Sequence, residues 1–154
     1  MKIASLPRRG WMGSSCATAS SRLLALGTGP GGAVADQVRK GEASIIGEGN
    51  ADWSFVHIDD AVAATVASLT AEQGVYNIVD DDPLPVAEWL PAFARWVDAP
   101  EPPRVSVEDA RRAAGAEAVY FHTRLTGAAN SRAKAQLGFT PRPLLWKPHL
   151  ALRS

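Results

Sequence analysis

The sequence predicts an α/β protein. Two observations carry that reading. Short runs rich in β-branched and aromatic residues, at Ser44-Ile-Ile-Gly47, Trp53 to Ile58 and Val75 to Val79, alternate with stretches of helical period. Their order in the middle of the chain, strand, helix, strand, helix, implies a right-handed parallel βαβ unit, since parallel neighbours need a crossover.

The glycines and proline of Gly27-Thr-Gly-Pro-Gly-Gly32 mark a loop, and Ala33 to Lys40 (AVADQVRK) reads as a helix stopped by Gly41. After the strand at residues 44–47 comes a turn, Glu48 to Asp52. Trp53 to Ile58 reads as a buried strand that hands over to a helix capped by Asp59 or Asp60. From Ala61 to Leu69, Val62, Val66 and Leu69 make an apolar stripe on an Ala-rich cylinder, and Gly74 ends the segment. Val75 to Val79 is the next strand and Asp80-Asp-Asp-Pro-Leu-Pro85 the next turn. Val86 to Val97 is a helix with Trp89, Leu90, Phe93 and Val97 on one side, and Pro91 inside it is expected to kink it or move its start. Beyond the stiff connector Ala99-Pro-Glu-Pro-Pro103, Ser106 begins a helix with Glu108 and Asp109 in its first turn, where the helix dipole favours them. Residues 120–125 suit either state. Asn130 caps a last helix from Ser131 to Leu137, ended by Gly138.

At 154 residues, 46% hydrophobic and 21% charged, the chain has the size and composition of one globular domain. Sixteen Lys and Arg balance sixteen Asp and Glu, so no global field favours nucleic acid or an anionic membrane. No run reaches the roughly 18 apolar residues of a membrane span. The lone Cys16 has no partner for an internal disulfide and fits a cytoplasmic location.

The sequence places few chemical constellations. A metal set from His57, Asp59 and Asp60 fails because successive strand side chains point to opposite faces and no second His or Cys completes it. The aspartates therefore read as structural caps and His57 as a core or cleft residue. The run Asp80 to Asp82 reads as a solvated turn. GTGPGG lacks the Gly-Lys-Ser/Thr ending of a phosphate-binding loop. No local pattern joins Cys16, His57 and His122 into a nucleophilic centre.

The pieces FVHIDDAVAA, GVYNIVDDDP and NSRAKAQLGFTP, in this order after GPGG, resemble the C-terminal half of the NAD-dependent epimerase/dehydratase family, the extended short-chain dehydrogenases. The resemblance runs from about Gly27 to the end. It implies a truncated Rossmann-type fold: a small parallel βαβ unit with C-terminal helices, residues 27–154 forming a substrate-binding portion and residues 1–26 a poorly defined segment. In that family a glycine fingerprint binds the dinucleotide and a Tyr-x-x-x-Lys pair acts on substrate. Here the residues four places after Tyr76 and Tyr120 are Asp80 and Arg124. The resemblance therefore implies NAD or NADP in a full-length parent, with no catalytic or cofactor-binding residue in this chain and no tight cofactor binding.

By the same resemblance, Gly29, Pro30, Trp53 and His57 are the substrate-cleft candidates. Nucleotide-sugar members carry a phosphate-clamping arginine where Trp53 stands, and their Arg-Pro-Gly-Asp-like element is replaced by Arg124-Leu-Thr-Gly-Ala128. A smaller or more apolar substrate is implied. The expected partners are that small molecule and a missing Rossmann half or a second copy, with no nucleic acid and no membrane; a stand-alone interaction module or half of a split oxidoreductase is the alternative. The segment Ser14 to Ala19 can be recoded in a shifted frame into the strand the family places before GPG, so residues 1–26 are expected to be out of frame and the chain truncated.

Overall fold

A computed structural model describes residues 29–151. The segment 1–26 and Cys16 lie outside the described residues. In chain order the elements are α1 (Ala33–Arg39), β1 (Ile45–Ile46), β2 (Asp52–Trp53), α2 (Ile58–Ser68), β3 (Leu84–Pro85), α3 (Val86–Trp96), β4 (Arg104–Val105), α4 (Val107–Thr123), α5 (Ser131–Leu137) and a 3-10 turn at Lys147–Ala151. The result is an α/β chain of five helices with a small parallel sheet.

That parallel pair is not the one expected. It joins β1 to β4, with Ile45 opposite Arg104 and Ile46 opposite Val105, whereas β2 pairs antiparallel with β3. The segment Trp53 to Ile58 leaves its ladder after Trp53, and Ile58 already opens α2. The physical reason lies at Phe55. Its carbonyl accepts from the Asp80 amide (2.6 Å), but its own N–H donates to the Asp80 carboxylate (3.2 Å), so a side chain stands where a strand would supply a carbonyl. Residues 75–79 run alongside without a ladder of their own, yet Tyr76, Ile78 and Val79 are buried.

The core forms around α3. Trp89, Leu90, Phe93 and Val97 face inward as their spacing predicts, and meet Val38, Ile45, Phe55, Leu144 and Trp146. Pro91 is accommodated within the helix; the amide it lacks leaves only the Ala87 carbonyl without its usual donor. A second cluster joins α2 to α5 through Val56, Ala64, Tyr76, Ile78, Ala133 and Phe139. In α4, Gly115 takes φ 87° and ψ 175°, dividing the helix at a kink. Ser106 caps it by accepting from the Asp109 amide (3.0 Å).

Helix α2 is turned round relative to expectation. Its buried positions are Asp60, Ala64 and Ser68, while Ile58, Val62, Val66 and Leu69 are 53, 58, 63 and 71% exposed. The apolar stripe is real but faces away from the chain's own core.

The caps also differ. His57 is the N-cap of α2, its Nδ1 accepting from the Asp59 amide at 3.2 Å, and Asp59 and Asp60 stand inside the first turn. The imidazole nitrogen supplies the acceptor assigned to an aspartate. Asn130 holds the N-cap position of α5, but its side chain donates instead to the Val79 carbonyl (2.8 Å) and to Asp81 (2.7 Å).

Candidate functional site

The antiparallel β2–β3 pair fixes Trp53 at the edge of the core. Its indole N–H donates to the Phe121 carbonyl at 2.6 Å, which ties β2 to the last turn of α4. Its ring packs 5.0 Å from Trp89 and meets His122 edge-on at 6.2 Å. Together Trp53, Trp89 and His122 wall a half-open cavity of about 230 Å³ bordered by α1, β1, α3 and α4. The remaining walls are aliphatic, from Val34, Ile46, Leu90 and the alanines of α4, and the polar side chains Gln37, Glu42 and Ser44 complete the lining.

His122 is a titratable group of this wall, which sequence reasoning considered only with Cys16 and His57 and did not place in a site. Its Nδ1 is buried without a hydrogen-bond partner, and burial lowers its pKa below the usual 6.5. A neutral imidazole therefore faces the cavity at neutral pH. Among the described residues no lysine or arginine lines the space. The signal that could have found this wall is the triplet Tyr120-Phe121-His122, an aromatic run in the ambiguous segment.

The other residues expected in the cleft fall elsewhere. Gly29 and Pro30 form an exposed turn before α1, where the Pro30 carbonyl accepts from the Arg39 guanidinium (2.8 Å). His57 caps α2 and does not line the cavity. Beside it, Asp60 accepts from the Arg142 backbone amide (2.8 Å) and from its Nε (2.6 Å), while Asp59 takes Nη1 (2.8 Å). This buried carboxylate clamps the C-terminal segment onto α2. Among the described residues no group of three His, Cys, Asp or Glu side chains could hold a metal ion.

The acidic run is solvated at Asp81 and Asp82, as expected, but Asp80 is buried. Lys147 lies 2.6 Å from Asp80 and 3.5 Å from Asp82, and Lys134 lies 2.5 Å from Asp81. Burial raises the Asp80 pKa above 3.8 even though Lys147 and the Phe55 amide pull it back. Hydrogen bonds from Lys134 and Asn130 lower that of Asp81. The three aspartates are anchors for α5 and the C-terminal turn.

No family profile matches the chain. Among curated proteins, it is 38% identical over 120 residues to a 3-diazoavenalumate denitrifying reductase from a Streptomyces species, across 77% of this chain and 40% of the reductase. Among solved structures, it resembles the human epimerase family protein SDR39U1 (isoform 2) with NADPH, at TM-score 0.66 and 21% identity over 84% of this chain and 45% of that one. A conserved protein of unknown function from Silicibacter pomeroyi matches at TM-score 0.65 and 26% identity, over 84% and 46%. The chain has the fold of part of a Rossmann-type epimerase or short-chain dehydrogenase/reductase chain. It spans less than half the length of each of these relatives.

The glycine turn before α1 opens onto a helix of seven residues, and a Cβ added at Gly29 or Gly31 would meet no described protein atom within 4 Å. The Tyr76 hydroxyl donates to the Glu72 carbonyl (2.7 Å) and lies 2.9 Å from the Gln136 side chain, under a ring that carries Arg132 at 4.9 Å. Tyr120 packs edge-on against Phe121 (5.8 Å). No helix of the described residues is long and apolar enough to cross a membrane.

Proposed function

We propose that this chain forms the substrate-binding lobe of an NAD(P)-dependent epimerase/dehydratase or reductase-like protein of the cytoplasm, and that it is inactive without a dinucleotide-binding half. The observation that carries the reading is the outward apolar face of α2. Four large aliphatic residues, Ile58, Val62, Val66 and Leu69, lie more than half exposed along one helix, with Val75 close behind in sequence at 56%. A contiguous apolar stripe of this kind marks a surface that another body covers. The missing Rossmann half is that body, and the small-molecule substrate binds at the Trp53 wall. The name of the Streptomyces relative, a reductase, and the NADPH bound to the human one support a hydride-transferring parent.

The test is direct. Added to the full chain alone, NADPH should leave its tryptophan fluorescence unchanged, whereas co-expression with a Rossmann half taken from the Streptomyces reductase should give a complex that binds the dinucleotide. Val66→Asp with Leu69→Glu should abolish that complex and change the stability of the chain by no more than about 0.5 kcal/mol, the range of surface substitutions. Micromolar NADPH binding by the chain alone overturns the reading. So does a complex that forms equally well with the charged face.

A further inference from the structure

We propose that the cavity behind Trp53 binds a small, uncharged, single-ring aromatic molecule whose polar end is a hydrogen-bond donor directed at Glu42. This names the ligand class of the lobe described above and rests on that reading of the chain.

Size sets the first limit. An apolar cavity of about 150 Å³ accommodates benzene, so 230 Å³ takes one ring with one or two short substituents. The walls set the second limit. Trp53 and Trp89 present rings 5.0 Å apart at an interplanar angle of 39°, and such surfaces take up a third ring through offset or edge contacts. Leu90 and the small Ala114 and Ala118 leave the opposite side flat and apolar.

Charge sets the third. Glu42 is the acidic side chain among the lining residues and is exposed, and among the described residues no lysine or arginine lines the space with it and its carboxylate has no hydrogen-bond partner. His122, held neutral by burial, offers no compensating positive charge. A carboxylate or phosphate on the ligand would meet repulsion at this end. A phenol or an aromatic amine would instead give Glu42 a charge-assisted hydrogen bond.

The test uses p-cresol, p-toluate and the full chain, with calorimetry and tryptophan fluorescence as readouts. Saturable one-to-one binding of p-cresol is expected, with p-toluate weaker by about tenfold or more, as loss of a hydrogen bond to a charged group implies. Glu42→Gln should narrow the gap between the two ligands. Ala118→Phe fills the cavity and should reduce p-cresol affinity by at least about tenfold; if its circular dichroism departs from the parent, Ala114→Phe at the exposed edge is read in its place. The proposal is overturned by absent p-cresol saturation, by p-toluate binding as tightly, or by titrations that the filled cavity leaves unchanged. Failure here with the Rossmann half still docking removes the ligand class alone. Failure of docking with p-cresol still bound removes the lobe reading alone.

Discussion

Substitution of Trp53 separates two physical contributions to the cavity wall. The indole makes one hydrogen bond, to the Phe121 carbonyl at 2.6 Å, and places its ring against Trp89, Phe121 and His122 at 5.0, 6.4 and 6.2 Å. Trp53→Phe keeps a ring and deletes the bond. An unpaired dry carbonyl costs about 1–3 kcal/mol, and the partial exposure of this site lets water relieve part of it, so about 1 kcal/mol is expected. Trp53→Ala deletes the ring as well. Fully buried tryptophans lose about 3–5 kcal/mol on truncation; Trp53 is half-buried, which brings the expected loss to about 2–3 kcal/mol. Urea denaturation followed by circular dichroism gives both values, with the m-value checked for constancy. If Trp53→Phe destabilises as much as Trp53→Ala, the hydrogen bond and not the ring holds the wall. If Trp53→Ala costs less than about 1 kcal/mol, the packing account of this site is wrong.

Three further outcomes follow from the geometry. Asp60→Ala should cost about 2–3 kcal/mol in denaturation midpoint terms, because it strips two charge-assisted bonds from Arg142 whose guanidinium can partly turn to water, whereas Asp59→Ala, at an exposed pair, should cost under about 1 kcal/mol; equal losses would refute the asymmetry. Gly49→Ala combines a φ of +67° with a Cβ placed 2.7 Å from Ile45 Cγ2 and 3.0 Å from the Ala87 amide, so the variant should fold poorly or lose more than about 2 kcal/mol, and a stable, wild-type-like protein would contradict it. Because burial lowers the His122 pKa, the unfolded chain takes up this proton first as pH falls: the contribution is fully present above 6.5 and declines below it. Asp80 acts with the opposite sign in the acid limb, since its raised pKa gives stability that is present below 3.8 and is lost as pH climbs through the raised value. His122→Gln should flatten the decline between neutral and mildly acid pH, and thermal melts across that range show whether it does.

What the sequence made legible was whatever depends on neighbours along the chain. In α3, the spacing of Trp89, Leu90, Phe93 and Val97 identifies the buried face because the helix packs within its own chain. At Ser106, the cap and its acceptor geometry are three residues apart and could be read locally. The cap of α2 was misassigned because His57, Asp59 and Asp60 are all competent acceptors, and the choice is made by Arg142, 82 residues away, which claims both carboxylates and leaves the imidazole to the helix. The strands failed for a related reason. Apolar, β-branched segments at residues 53–58 and 75–79 are extended as expected, but the Asp80 side chain replaces a ladder acceptor, and no local pattern announces that substitution.

The inverted stripe of α2 is the most instructive departure, because the periodicity itself was read correctly. A hydrophobic period states that a face is to be covered and is silent about which body covers it. In α3 that body is the same chain; in α2 the chain supplies only Ala64 and the polar Asp60 and Ser68 on the inner side, so the large aliphatics are left for something else. The cavity has the reverse character, since Trp53, Trp89 and His122 come from separate elements that close on each other within the described residues. The site that would recognise a small molecule is thus built internally, while the surface that would join a cofactor-bearing body is built for assembly. If the two properties are separable, charges placed on α2 should leave p-cresol binding intact, and a filled cavity should leave docking intact.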